Sequence, residues 1–138
     1  MRIIITIFCI IFYSANLNAN TSFFKEGVAY YNKSQFDKAK FKFEQNIVYN
    51  PKSEKSYLYL SKIFNIQNKI KNEEQNLKTV ILLNPKNEEA IYNLAKLKLS
   101  ESDYKESKKL IEKLLTFCEN FCEKSKSIKI EIEKSLKK

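Results

Sequence analysis

Aromatic, aliphatic and small residues return at one fixed distance through most of this chain. Phe23, Tyr57 and Ile91 are 34 residues apart, and so are Gly27, Ser61 and Ala95. Tyr30 and Phe64 keep the same step, as do Phe43, Leu77 and Ile111, and the two prolines, Pro51 and Pro85. A constant period of this length marks stacked supersecondary units, each too small to bury its own apolar face. Two antiparallel helices per unit satisfy the spacing. The expected pairs are 21–33 with 37–49, 54–67 with 71–83, and 88–100 with 104–117. Gly27, Ser61 and Ala95 are small where the two helices of a unit approach, and Phe43 and Leu77 fill the next interface. Each proline stops a second helix, because it lacks an N–H and disfavours α geometry in the residue before it. Ser53 and Asn87 suit the N-cap position, and Glu88 and Glu89 suit the positive end of a helix.

The match differs between units. The first unit, 20–53, carries Phe23, Gly27, Tyr30, Ala39, Phe43 and Pro51, with Glu26 in a slot that calls for Leu. The second, 54–87, carries Tyr57, Leu60, Ser61, Phe64, Leu77 and Pro85, with Glu73 where Ala is expected. The third, 88–121, carries Ile91, Leu94, Ala95, Ser107 and Ile111, with Lys98 in the second aromatic slot and Glu119 in place of Pro. On these residues the stretch 20–121 resembles the tetratricopeptide-repeat family. The resemblance implies an all-α fold of antiparallel helix-pair repeats, an α-solenoid of three units. Residues 122–138 are expected to form a C-terminal capping helix, since Ile128, Ile132 and Leu136 share one face. Lys126, Lys129, Glu133 and Lys134 supply its polar side. The alternation of Ile128, Ile130 and Ile132 also permits a short strand, but the neighbouring Lys and Glu residues favour helix.

The first 19 residues stand apart. Arg2 precedes an 11-residue apolar run, 3–13, and small and polar residues follow to Ala19. This is the layout of a secretory signal peptide, with cleavage expected after Ala19 and, as the alternative, after Ala15. The run is too short to cross a bilayer, which takes ~20 apolar residues. The expected location is therefore the periplasm, the cell envelope or outside the cell. Losing residues 1–19 removes one Arg and no acid, so the net charge falls from +9 to +8.

Composition argues against catalysis. The chain has no His, which removes the commonest general base and metal ligand, and its single Gly cannot build a phosphate-binding loop. Glu73–Glu74 and Glu88–Glu89 are adjacent and diverge on a helix, so they are expected to be surface charge. No enzyme activity, cofactor or metal is expected. Cys118 and Cys122 are the cysteines left after cleavage. An exported chain with an even count favours a disulfide, provided 118–122 forms a turn rather than continuous helix. The alternative is two buried thiols packing as small apolar residues.

The family resemblance implies a partner groove lined by the first helices of successive units. Its slots hold Phe24, Val28 and Tyr31, then Leu58, Tyr59 and Lys62, then Tyr92 and Lys96. Such a floor favours a protein or peptide partner with aromatic or aliphatic anchors and an acidic group. The slots used by family members that clamp a C-terminal carboxylate hold Phe24, Val28, Tyr59, Glu89 and Asn93, so that clamp is not reproduced. The expected function is a non-catalytic interaction scaffold of the cell envelope. A basic module docking on anionic lipid or polymer is the alternative. Nucleic acid is not an expected partner, since the lysines are not interleaved with stacking aromatics.

Overall fold

Ser34, Asn68 and Ser102 are 34 residues apart, and all three are left-handed, with φ of 56°, 54° and 61°. Each closes the turn between two helices of a unit. Behind each, an amide reaches five residues back: Gln35 to Tyr30 O (2.9 Å), Lys69 to Phe64 O (2.8 Å) and Asp103 to Lys98 O (2.9 Å). These bonds take up carbonyls that a helix end leaves unpaired. The computed structural model describes residues 22–137, and the expected signal peptide lies outside them.

Seven helices and no strand occur among the described residues. They are α1 (22–32), α2 (Phe36–Tyr49), α3 (Glu54–Ile66), α4 (Ile70–Leu83), α5 (Glu88–Ser100), α6 (Tyr104–Leu115) and α7 (Cys122–Ser135). Helix is thus observed where Ile128–Ile132 also permitted a strand. Asn50 and Asn84 end α2 and α4 outside helical geometry, with φ of -134° and -139°, as the following prolines favour. Asn87 caps α5 by accepting from the Ala90 N–H at 2.9 Å, and Asp103 caps α6 through Glu106 N–H at 3.1 Å. Ser53 does not cap α3 in this way. Its hydroxyl meets Asn46 Nδ2 and Ser56 Oγ, both at 3.0 Å, in a polar cluster that includes the buried Asn46 and Ser56.

The chain divides into two compact units, 1–59 and 60–138. The described part of the first is organised around Phe43, whose side chain is fully buried. Tyr59 stacks on Phe43 at 4.9 Å, and Phe24 lies tilted against it at 5.8 Å. Gly27 gives the ring its room, since a Cβ there would fall 2.7 Å from Phe43 Cε1. In the second unit Leu77 and Ile111 hold the slot that Phe43 holds in the first, and both are fully buried. Each such side chain contributes ~1.5–3 kcal/mol of burial. Ser107 Oγ donates to the Ala95 carbonyl at 2.8 Å, locking α6 onto α5. Helix α5 packs against α4, α6 and α7. Ile128 and Ile132 seat α7, but Leu136 is 55% exposed, so the expected apolar face stops one turn early.

Candidate functional site

Adjacent acidic pairs take up separate structural tasks. Glu73 is not surface charge: it is 5% exposed and accepts from Asn65 Nδ2 through both oxygens at 3.1 Å. Burial pushes its carboxyl above the ordinary value, against the pull of Asn65 and the Lys96 charge. Glu74 binds Lys78 at 2.7 Å and Lys98 at 2.8 Å, and Lys98 also holds Glu101 at 2.8 Å. Glu89 pairs with Lys62 at 2.7 Å. Glu88 accepts three consecutive backbone N–H groups, from Glu119 (2.8 Å), Asn120 (2.9 Å) and Phe121 (2.9 Å). Burial raises its pKa, but those three donors outweigh it and leave the carboxyl below its ordinary value. In the first unit Glu26 pairs with Lys42 at 2.7 Å.

Cys118 and Cys122 are joined by a disulfide with Cα atoms 5.4 Å apart. Helix α6 ends at Leu115 and α7 starts at Cys122, so the bridge closes a connection and not a continuous helix. It shares that connection with the three amides that hold Glu88. The last of these residues, Phe121, packs its ring 5.2 Å from Tyr92 of α5.

A cleft of about 590 Å³ opens between α5 and α7, lined among others by Tyr92, Lys96, Tyr104, Lys124, Ile128 and Glu131. Lys96 lies 6.0 Å over the Tyr92 ring and Lys124 lies 5.1 Å over Phe121. Neither lysine forms an ion pair with another described residue. The cleft therefore offers two cations outside any direct ion pair, beside Glu131 and tyrosine and isoleucine surface, with the Lys96 charge also felt by Glu73.

The expected groove residues fall in both units. Phe24, Val28, Tyr31, Leu58 and Tyr59 belong to the first and are half-buried. There Tyr59 meets Phe24 at 5.9 Å and Tyr31 at 5.1 Å, as well as Phe43, so it is a packing residue of its unit. Lys62, Tyr92 and Lys96 belong to the second unit, where Lys62 is tied to Glu89 while Tyr92 and Lys96 line the cleft. Sequence reasoning missed Tyr104, Lys124 and Glu131. A signal for the α7 wall was present: α3, α5 and α7 begin at 54, 88 and 122, so α7 stands where a fourth first helix would. No cluster of three His, Cys, Asp or Glu that could hold a metal occurs among the described residues, and no described helix is long and apolar enough to cross a membrane.

No protein-family model matches the sequence, and no curated relative matches it. Solved structures do. The first tetratricopeptide domain of Spaghetti (RPAP3), bound to the HSP90 peptide SRMEEVD, matches with TM-score 0.77 and 16% identity, over 88% of this chain and 95% of its own. The Arabidopsis OM64 tetratricopeptide domain gives TM-score 0.75 and 20% identity, over 87% and 98%. The Yersinia enterocolitica type III secretion chaperone SycD, in complex with a peptide of the translocator YopD, gives 0.76 and 12%, over 83% and 92%. The fold of this chain is that of tetratricopeptide-repeat domains.

Proposed function

We propose that this chain is a non-catalytic, exported peptide-binding module of the cell envelope, and that its ligand carries an acidic group beside an aromatic or aliphatic anchor. The observation that carries the reading is the α5–α7 cleft, where Lys96 and Lys124 form no direct ion pair with a described carboxylate and Tyr92, Tyr104 and Ile128 supply apolar area. Two solved structures of the same fold hold peptides, one of them acidic, which supports a peptide as the class of ligand. The Cys118–Cys122 bridge supports an oxidising compartment.

The test is fluorescence anisotropy with an array of labelled decapeptides bearing Asp or Glu next to Leu, Phe or Tyr. Lys96→Glu and Lys124→Glu should each weaken the best binder about tenfold, as loss of a central charge contact does. Lys62→Glu is a poor probe, because it would place two carboxylates together at Glu89. Tyr92→Ala is also ambiguous, since it removes the Phe121 contact. Unchanged affinity in both lysine variants sinks the reading. Binding to anionic vesicles that collapses steeply with salt, with no peptide bound, would favour the polyanion alternative.

A further inference from the structure

The first turn of α7 is poorly anchored by its own side chains. The slot that holds Tyr57 in α3 and Ile91 in α5 holds Ser125 in α7, one 34-residue step further on. Ser125 is fully buried, and its hydroxyl has no hydrogen-bond partner. No large apolar side chain of that turn is buried, and the apolar seat begins only at Ile128. Three other contacts hold the turn. The disulfide ties it to the chain leaving α6, Glu88 of α5 gathers the amides of Glu119, Asn120 and Phe121, and Phe121 leans on Tyr92. The three amides lie inside the ring that the disulfide closes, so the bridge holds them at the spacing that Glu88 grips.

We propose that the Cys118–Cys122 bridge and Glu88 form a redox latch on the first turn of α7, and that reduction loosens this turn and, with it, the α7 wall of the cleft. Both cysteines are half-buried, so a small reductant can approach them. The reductant is a dithiol. Its thiolate attacks one bridge sulfur, the S–S bond breaks, and a mixed disulfide forms. Its second thiolate then displaces the protein sulfur. Two electrons pass to the bridge, Cys118 and Cys122 leave as thiols after taking up two protons, and the dithiol becomes a disulfide. The freed connection no longer presents three amides in register to Glu88. Lys124, Ser127 and Ile128 lie on the loosened end of the wall, so ligand held there is released. Only this last step rests on the proposed function.

Amide hydrogen exchange read by mass spectrometry tests the latch without any ligand. The full-length protein is compared before and after treatment with dithiothreitol at neutral pH, and with the Cys118→Ser/Cys122→Ser variant untreated. Exchange over 119–128 should quicken at least about tenfold in both reduced-like forms, while 89–97 and 107–114 stay within about twofold. Glu88→Gln in the oxidised protein should quicken 119–128 to a lesser degree. Unchanged protection over 119–128 in both forms overturns the proposal. So does protection lost equally over 89–97, because the bridge would then stabilise the whole unit and not one turn. The decapeptide array is run on both redox states. If exchange responds but no peptide binds in either state, the peptide reading fails and the latch stands; if peptides bind equally and exchange does not respond, the latch fails.

Discussion

Glu73 puts a carboxylate where the repeat calls for alanine, and the fold takes it in with Asn65 as its hydrogen-bond donor. Lys96 lowers and Glu101 raises its affinity for a proton, and desolvation exceeds both. The folded carboxyl therefore titrates above the ordinary 4.5, while the unfolded one titrates near it. The folded state binds the proton more tightly, so this group favours folding at low pH and loses that contribution as pH rises from 4.5 through the raised value. Glu73→Gln keeps an acceptor for Asn65 and carries no charge. It should match the natural protein more closely at pH 4 and exceed it in stability at pH 7. Thermal midpoints of both proteins at the two pH values decide this, and a pH-independent difference would show that the buried charge costs nothing. Other departures from the repeat are matched by a partner on a neighbouring helix: Glu26 by Lys42, and Lys98 by Glu74. Such pairings are invisible along the sequence because the partners are 16 and 24 positions apart, outside any one helix.

Among the helices, the tightest test of packing is α1 against α2. Gly27→Ala gains up to ~1 kcal/mol of helix propensity. Against that, the new methyl meets the Phe43 ring at 2.7 and 2.8 Å, and Tyr59 and Phe24 already occupy that ring's neighbourhood. Overpacking costs ~1–3 kcal/mol, so the variant should lose roughly 1 kcal/mol or more in urea titration. A variant as stable as its parent would mean that the ring can yield. Helix existence and order were legible in the sequence, because the 34-residue step and Pro51 and Pro85 set them directly. The bounds of α1 to α6 came within two residues, the usual scatter of such ends, while α7 stops at Ser135, three short of the expected 138. The left-handed turns were not legible, because Ser34 and Ser102 carry no side-chain signal for that geometry. The α7 wall of the cleft was half legible. Ile128 and Ile132 announced a packed helix, but nothing local to Glu88 announces three amides more than thirty residues away.

Over 83–88% of its length the chain shares its fold with domains at 12–20% identity, so what is held in common is the spacing of packed side chains rather than the residues that meet a ligand. The cleft's chemistry must therefore be sought in this chain's own Lys96 and Lys124. The proposed export is likewise tested on this chain. Protein recovered from the envelope of its native cell should begin near Asn20 on N-terminal sequencing, whereas an intact Met1 on that material would reject a cleaved signal. Ser34, Asn68 and Ser102 each hold a backbone shape that glycine adopts freely and other L-residues adopt at a cost of ~1–2 kcal/mol, least for asparagine. One glycine per turn would have relieved it, yet the chain's only glycine is Gly27. A fold that leaves stability unclaimed at these three turns can be tightened one residue at a time, without touching its core or its cleft.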